Sequence, residues 1–213
     1  MATGTKYIHA LRFSWLTPVY DPVLRRMMPE VALKERLIAQ AQIAAGQRAL
    51  DLGAGTGTLT VMVKLNCPDA DVMGLDGDPH VLALARAKAA AAGAAIRFDL
   101  GLATALPYAD GAFDRVLSSL MLHHLTADDK QAALGEAWRV LRPGGELHIL
   151  DFGPPQNALA WVISQVFRRL ERTADNIAGR IPEMLRQAGF TAVAQTEQHM
   201  TILGTLALYR GRK

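Results

Sequence analysis

A second cysteine is missing from this 213-residue sequence, which contains only Cys67. A lone thiol cannot form an internal disulfide, and it cannot be half of a cysteine pair that binds zinc or carries out redox chemistry. No apolar run approaches the roughly 18 residues that span a bilayer. Residues 1–10 also lack the basic start, apolar centre and cleavage site of a signal peptide. These absences exclude a disulfide scaffold, and we expect a cytoplasmic protein.

A large excess of charge is missing as well, since 23 Lys and Arg against 20 Asp and Glu leave a net charge of +3. The distribution is uneven, because residues 1–48 carry +4, residues 49–153 carry −5 and residues 154–213 carry +4. An acidic centre repels the phosphate backbone of a nucleic acid. We therefore expect no nucleic-acid partner.

The composition that is present is typical of globular domains, with 50% apolar and 20% charged residues. From Arg48 onward, short β-rich runs alternate with helical stretches, and this alternation predicts an α/β fold built from βαβ units around a parallel sheet. The predicted strands are 48–52, 71–76, 95–99, 113–120, 145–152, 191–197 and 201–209. The predicted helices between them are 58–65, 79–92, 128–141 and 182–188.

Two further helical regions flank this pattern. Residues 22–45 favour helix, and residues 157–173 have apolar residues at helical spacing with three arginines near the C-terminal end. We predict an N-terminal helical cap over residues 1–47. The α/β domain then covers residues 48–213, with residues 157–173 as a lid helix.

Three alternate glycines, Gly53, Gly55 and Gly57, lie between the first strand of this domain and the helix that follows it. Such a loop lets a nucleotide-type ligand approach the backbone beside a helix N-terminus. The spacing departs from the dinucleotide fingerprint G-x-G-x-x-G because position 58 is Thr58, and no lysine follows as in a P-loop. The loop therefore favours a ligand other than NAD or a nucleoside triphosphate.

Two carboxylates accompany the glycine loop. Asp51, two residues before Gly53, would repel a pyrophosphate in a low-dielectric cleft. Asp76, at the end of the second predicted strand, occupies the place where nucleotide folds put the carboxylate that binds ribose hydroxyls. A ligand with a ribose, a positive charge and no phosphate satisfies both, and S-adenosylmethionine has these properties. The alternative is a tight strand-to-helix turn capped by two aspartates.

The motifs that follow the glycine loop occur in the order found in a known family. They are Asp76 and the stretches Leu106–Asp114, Arg139–Gly145 and Ala188–Phe190. With Leu50–Thr58, they resemble the class I S-adenosylmethionine-dependent methyltransferases, in particular the ubiquinone/menaquinone biosynthesis C-methyltransferase group. The resemblance implies a Rossmann-like, doubly wound sheet of seven strands whose last strand is antiparallel. It also implies S-adenosylmethionine as the methyl donor and S-adenosylhomocysteine as the product.

The same resemblance implies a set of cofactor-binding residues. The glycine loop and Asp51 would lie beside the methionine part, Asp76 would hold the ribose, and Tyr20 would either close over the cofactor or pack the first helix onto the sheet. The full set is Tyr20, Asp51, Gly53, Gly55, Thr56, Gly57, Asp76, Gly77, Leu102, Ala103 and Ser118.

Two departures from the family pattern stand out. Leu102 occupies the position where the family has an aspartate that binds the adenine amino group. Backbone groups of Leu102 and Ala103 can still contact the ring, so we expect adenine recognition to be weaker by about one net hydrogen bond, roughly 1 kcal/mol. The quinone enzymes also carry an Asn, Ser, His and Arg signature that is missing from residues 22–31.

Two adjacent histidines, His123 and His124, follow the fourth predicted strand on the expected catalytic rim. Either could act as a base for a phenol or a protonated amine. The alternative is a histidine that bonds to the backbone and shapes the pocket. His148 lies inside a predicted strand, where a structural role is expected. No acid lies at metal-ligand spacing from the histidine pair, so no metal site is predicted.

Aromatic residues lie beside arginines in both basic flanks, at residues 12–26 and 161–172. This combination predicts an apolar lid with a cationic rim that makes peripheral contact with an anionic membrane and admits a lipid-soluble acceptor. The alternative is an ordinary amphipathic cover helix.

We expect methyl transfer to a small-molecule acceptor that is apolar or aromatic. Three other functions stay open. They are an S-adenosylmethionine-binding but catalytically idle regulatory protein, a membrane-lipid or quinol methyltransferase at the membrane surface, and an NAD-dependent reductase, which the loop spacing and Asp51 oppose.

Overall fold

A seven-stranded sheet forms the centre of the protein in the computed structural model, which describes residues 30–162, 164, 173–202 and 204–213. The strands are β1 (Arg48–Leu52), β2 (Asp71–Asp76), β3 (Arg97–Leu100), β4 (Phe113–Ser119), β5 (Leu141–Phe152), β6 (Thr191–Thr201) and β7 (Gly204–Arg212). The helices are α1 (Glu30–Ala41), α2 (Thr58–Asn66), α3 (Pro79–Ala91), α4 (Ala127–Val140), α5 (Ala174–Ile177) and α6 (Ile181–Gln187). A 3₁₀ turn covers Leu122–His124.

The strand order is β3-β2-β1-β4-β5-β7-β6. Strands β1 to β5 pair in parallel, whereas β7 is antiparallel to both of its neighbours, β5 and β6. The predicted α/β class, the seven strands and the antiparallel last strand are confirmed. The strand order reverses between β1 and β4, which makes this position the topological switch point of the sheet. Open α/β sheets bind ligands in the crevice at the carboxyl ends of the strands at such a point.

Helices cover both faces of the sheet, so the central strands are buried on both sides. On one face Leu117 and Leu150 pack with Leu37 of α1. On the other face Val116 and Ile149 pack in the cluster that includes α4 and α6. Successive residues of a strand point to opposite faces, which is why β4 and β5 supply both clusters.

Local signals set the helix starts. Asp78 precedes α3 and its side chain accepts a hydrogen bond from the His80 N–H at 2.8 Å, with Pro79 in the first turn. Thr126 precedes α4 and accepts from the Asp129 N–H at 3.1 Å. These are the N-cap contacts that Asp and Thr favour.

Strands β3 and β4 differ from their predicted bounds by one or two residues at an end, and larger differences occur in β5, β6 and β7. Strand β5 begins at Leu141 instead of residue 145, because Leu141 pairs with Phe113 and the ladder resumes at Glu146 after an irregularity. The last two strands extend to Thr201 and Arg212, since they pair along their whole length. The 3₁₀ turn and α5 were not predicted, because three or four residues carry no helical periodicity.

The two predicted flanking helices are described only in part. Of predicted helix 22–45, residues 30–41 are helical as α1, and residues 22–29 lie outside the described residues. Of predicted helix 157–173, residues 158–162 are helical, while residue 163 and residues 165–172 lie outside the described residues.

Candidate active site

The glycine loop after β1 turns through three left-handed positions, with φ of +76° at Gly53, +53° at Gly55 and +74° at Gly57. A Cβ at Gly53 would lie 2.3 Å from Cγ of Met121, and one at Gly57 would lie 2.8 Å from Cβ of Ala85. A Cβ at Gly55 would meet nothing within 4 Å. The outer glycines are therefore required by packing, while Gly55 faces open space that a ligand can approach.

Asp76, at the end of β2, holds this loop in place. Its Oδ2 accepts from the Gly55 N–H at 2.8 Å, and its Oδ1 accepts from the Asp78 N–H at 3.0 Å. Gly77 lies between the two aspartates in the same turn. Asp76 therefore lies beside the glycine loop, as its position at the end of the second strand predicted, and its role in binding ribose stays a prediction.

Asp51 is buried in β1 beneath the loop, where Thr60 Oγ1 donates to its Oδ2 at 2.6 Å. Burial raises the pKa of Asp51 to about 6, although the Thr60 hydrogen bond and the charge of Lys34 act in the opposite direction. Burial disfavours the charged form of a carboxyl group. A ligand that brings a positive charge near Asp51 would favour the ionised form of its carboxyl group.

Lys88 of α3 also contacts the loop, and the sequence analysis did not identify it. Its Nζ donates to Thr56 Oγ1 at 3.0 Å and to Thr58 Oγ1 at 2.6 Å. These contacts connect the loop to α3 and engage the hydroxyl of Thr56, a predicted cofactor residue. No sequence signal could have found Lys88, because it lies about thirty positions further along the chain.

The segment after β3 contains the predicted adenine-side residues. Leu102 is 43% exposed, and its carbonyl accepts from the Ala105 N–H at 3.1 Å. Ala103 is half-buried against the core. Arg139 of α4 supports the segment by donating to the carbonyls of Leu106, at 3.1 Å, and Tyr108, at 2.8 Å.

Ser118 and Ser119 bring two hydroxyls to the carboxyl end of β4. Among the residues that the structure describes, neither Oγ has a hydrogen-bond partner, and both atoms are buried. Buried polar atoms without a partner are rare in proteins. The open face at Gly55 and the acid at Asp76 fit a polar ligand over this edge of the sheet.

The predicted histidines lie in the 3₁₀ turn after β4. Leu120 enters this turn with a left-handed φ of +56°, and its N–H donates to the Leu150 carbonyl at 2.8 Å. His123 is buried with Nδ1 2.9 Å from Oδ1 of Asp151, the penultimate residue of β5. The rings of His123 and His124 lie 4.0 Å apart. The structure thus adds Asp151, which the sequence analysis missed, to the predicted histidine pair.

Asp151 is fully buried. Burial by itself raises the pKa of a carboxyl, but the charge and hydrogen bond of His123 and the Phe152 N–H hold the pKa of Asp151 below its usual range. An ionised carboxylate therefore lies against the His123 ring.

His148 behaves differently from the histidine pair. It is fully buried on the α1 side of β5, with Nδ1 3.0 Å from Nε2 of Gln40. Burial and the charges of Arg115 and Arg210 lower the pKa of His148 to about 3, so the ring is neutral. This environment agrees with the structural role expected for His148.

An apolar rim borders the same edge of the sheet. We use this name for five exposed residues from the segment after β5 and from the tip of the β6–β7 hairpin: Leu159, Trp161, Val162, Met200 and Ile202. Asn157 Nδ2 lies 3.4 Å from Sδ of Met200 and joins the two segments. Strand β7 is antiparallel to β5, and its first residues pair with the carboxyl end of β5. The tip of the β6–β7 hairpin therefore lies at the carboxyl ends of the parallel strands.

Several predicted residues lie outside the described residues. They are Tyr20, the aromatic and basic residues at 12–26, Phe167, Arg168, Arg169 and Arg172. Within the described ranges, no group of three or more His, Cys, Asp or Glu could hold a metal ion. No helix in those ranges has both the length and the apolar character needed to cross a membrane.

Comparisons with known proteins agree with this geometry. A family described as "Methyltransferase domain" matches residues 49–145, from β1 to the early part of β5. A demethylmenaquinone methyltransferase of Thermus thermophilus is 40% identical over 158 residues, which are 73% of this chain and 70% of that protein. An uncharacterized methyltransferase of Synechocystis is 34% identical over 201 residues, which are 91% of each chain.

A solved structure supports the fold. The S-adenosylmethionine-dependent methyltransferase SibL, in its apo form, superimposes with a TM-score of 0.70 at 24% identity. The match covers 86% of this chain and 55% of that one.

Proposed function

The chain belongs to the class I S-adenosylmethionine-dependent methyltransferases of the ubiquinone/menaquinone group, and from that premise we propose that it methylates a ring carbon of an apolar hydroquinone. It is an enzyme whose cofactor is S-adenosylmethionine and whose product is S-adenosylhomocysteine. The acceptor we propose is of the class named for its relatives, a demethylmenaquinone in the reduced, hydroquinone form.

The observation that carries the choice of acceptor is the apolar rim. Leu159, Trp161 and Val162 are more than half exposed. They lie at the same edge of the sheet as the glycine loop, the edge formed by the carboxyl ends of the parallel strands. Exposed apolar side chains that cluster beside a site indicate an apolar ligand or surface. A prenylated hydroquinone supplies both a ring and a long apolar chain, which a small polar acceptor lacks.

We assign the cofactor contacts to this chain as follows. Asp76 accepts hydrogen bonds from ribose hydroxyls with the carboxylate lone pairs that its two backbone donors leave free. Asp51 favours the positively charged methionine end through the loop. The other proposed contacts are Tyr20, Gly53, Gly55, Thr56, Gly57, Gly77, Leu102, Ala103 and Ser118. We also propose that residues 1–47 form a cap and that residues 48–213 form the methyltransferase domain.

When bound, the cofactor supplies a methyl group already activated by a positively charged sulfur. The residues of this chain then need to align the acceptor with that methyl group and keep water out, which can provide much of the rate. Ring methylation also requires the acceptor hydroxyl to lose its proton so that the ring becomes electron-rich. A base near the carboxyl ends of β4 and β5 would accelerate that step.

Calorimetry tests the cofactor site. The purified protein is titrated with S-adenosylhomocysteine and, for comparison, with NADH. We expect micromolar affinity for the first only, and a loss of about tenfold to hundredfold in Asp76→Asn, since hydrogen bonds to a charged group contribute about 1.5–3 kcal/mol. Asp71→Asn, an exposed aspartate at the other end of β2, is the matched control and keeps wild-type affinity.

Methyl transfer tests the acceptor. Demethylmenaquinol in detergent is incubated with S-adenosylmethionine carrying a labelled methyl group, and the product is examined for a label on the ring carbon. A folded protein that binds S-adenosylhomocysteine but methylates only hydrophilic phenols would contradict the proposed acceptor.

We also propose peripheral contact with an anionic membrane through the apolar rim and the arginines at 168, 169 and 172. Sedimentation with vesicles of anionic phosphatidylglycerol and with neutral vesicles tests this contact. The protein should pellet with the anionic vesicles at low salt, and Trp161→Ser should pellet less. Equal recovery in the supernatant with both vesicle types would refute membrane contact.

A further inference from the structure

Asp151 holds both the ring and the backbone of His123. Besides the 2.9 Å contact between His123 Nδ1 and Asp151 Oδ1, the backbone N–H of His123 donates to Oδ2 at 3.3 Å. The ring also packs edge-on against Phe152, with 4.9 Å between ring centroids. The imidazole therefore has one well-defined orientation at the carboxyl ends of β4 and β5.

Asp151 is itself fixed by two further donors, one from the next residue and one from α5. The Phe152 N–H donates to Oδ1 at 2.7 Å, and Nδ2 of Asn176 in α5 donates to the same oxygen at 3.1 Å. The charge of His124 also helps to hold the pKa of Asp151 low, whereas burial and the charge of Asp151 raise the pKa of Tyr209 in β7. A buried carboxylate with this many partners is held rigidly.

The second ring nitrogen of His123 is available. Nε2 makes no hydrogen bond to any residue in the described ranges, and it does not occur among their fully buried, unpartnered polar atoms. When Nδ1–H donates to a carboxylate, the neutral ring carries its lone pair on Nε2. The pair thus presents a proton acceptor at Nε2.

The turn that carries His123 lies against the cofactor loop. Met121, two residues earlier, packs so closely on Gly53 that a Cβ there would lie 2.3 Å from Met121 Cγ. The 3₁₀ turn that carries His123 is therefore adjacent to the glycine loop.

We propose that His123 is the general base of the methyl transfer and that Asp151 is the positioning residue that fixes its tautomer. The proposal rests on the function proposed above. The acceptor hydroxyl gives its proton to Nε2 while the neighbouring ring carbon forms a bond to the methyl group, whose former bonding pair stays on the donor sulfur. The proton on that ring carbon then moves to the oxygen and restores the hydroquinone, and Nε2 releases its proton to solvent.

Three variants of the full chain test this assignment, with demethylmenaquinol as the acceptor. His123→Gln should lower kcat by about 10²- to 10⁴-fold, the range of general-base catalysis. Asp151→Asn should lower kcat by a similar factor, because the amide can donate to Nδ1 and so place the ring proton on Nε2. Glu197→Gln disrupts a second histidine–carboxylate pair, with 2.7 Å between His199 Nε2 and Glu197 Oε2, and should leave kcat unchanged.

Two readouts separate positioning from folding. The affinity for S-adenosylhomocysteine should stay within about twofold of wild type in all three variants, since the pair acts on the acceptor. In protein with ¹⁵N-labelled histidine, NMR should show the His123 proton on Nδ1 in wild type and on Nε2 in Asp151→Asn.

The outcomes distinguish this proposal from the proposed function. If wild type methylates demethylmenaquinol and His123→Gln does so at the same kcat, the base assignment is wrong. If wild type methylates no hydroquinone, the proposed function is wrong. The NMR experiment then tests only whether Asp151 fixes the tautomer of His123. A wild-type His123 with its proton on Nε2 would then refute the positioning role of Asp151.

Discussion

The Asp76 carboxylate accepts a hydrogen bond from the backbone N–H of Gly55, with 2.8 Å between Oδ2 and N. This contact joins the end of β2 to the middle of the loop that follows β1. The residue that we assign to the ribose therefore also sets the conformation of the loop beside it. Changes at either residue should affect cofactor binding more than folding.

Gly55→Ala should separate binding from stability. The added Cβ meets nothing within 4 Å, so the cost in stability comes from the φ of +53° and should be about 1–2 kcal/mol. The methyl group would project into the space that we assign to the cofactor, and affinity for S-adenosylhomocysteine should fall more than about tenfold. Calorimetry and urea unfolding measure the two effects.

Gly93→Ala is the matched control for Gly55→Ala. Gly93 has a φ of +64° and the same open surroundings at the end of α3. It should lose similar stability and keep wild-type affinity. Equal affinities in the two variants would contradict the placement of the cofactor beside Gly55.

Asp51 should make the folded state less stable as pH rises through the weakly acidic range. Its folded pKa of about 6 lies above the ordinary value of 3.8, so the folded state binds more protons between these values. Stability is then lost from about pH 4 to pH 6, by roughly 3 kcal/mol in total. Urea unfolding of wild type and Asp51→Asn across this range should show the variant gaining relative stability toward neutral pH. A pH-independent difference would contradict the burial effect.

Leu102→Asp should strengthen cofactor binding. An acid at this exposed position would restore an acceptor for the adenine amino group, worth about 1 kcal/mol or roughly fivefold in affinity. Leu100→Asp, at an exposed leucine two residues earlier, adds the same charge and should have no such effect. The gain should be absent for S-inosylhomocysteine, whose base has no amino group. If both variants gain the same affinity, the added negative charge and not a contact with the adenine amino group would explain the change.

Arg139→Lys should loosen the segment after β3. Arg139 donates from one guanidinium to Glu136, at 2.7 Å from Nε, and to the carbonyls of Leu106 and Tyr108. A lysine cannot reproduce this planar set of donors. We expect the free energy of unfolding to fall by about 1–2 kcal/mol. The loss is this small because the side chain of Arg139 is partly exposed to solvent. Arg186→Lys, in an exposed pair with Glu183, should be neutral by the same unfolding measurement.

Tyr209→Phe should cost no stability, although Tyr209 is fully buried. Its hydroxyl has no hydrogen-bond partner among the described residues, and burial raises the pKa of Tyr209, so the phenol is neutral. Removing an unpaired buried hydroxyl is neutral or stabilising.

Tyr108→Phe provides the contrast. The Tyr108 hydroxyl donates to Asp99 Oδ2 at 3.0 Å, and its loss should cost about 1 kcal/mol. Thermal unfolding compares the two variants. A larger loss in Tyr209→Phe would mean that its hydroxyl has a partner in the folded protein.

Most of the fold could be predicted from sequence, for local reasons. Strands β1 and β2 have the predicted bounds because each is a short buried run that stops at a glycine or aspartate turn. Helix α3 begins as predicted because Asp78 caps it and Pro79 occupies the first turn. The end of β5 could be predicted, but its start could not, because pairing of Leu141 with Phe113 depends on a strand almost thirty residues away.

The sequence by itself determined the α/β class, the glycine loop and the two aspartates beside it, because these follow from residue type and short-range spacing. Only the tertiary structure decided which groups meet across the sheet. Lys88 reaches the glycine loop from α3, a helix that follows a different strand. Asp151 lies against His123 because β4 and β5 pair in parallel, which brings their carboxyl ends together. Such contacts join residues far apart in the chain, and no local pattern encodes them.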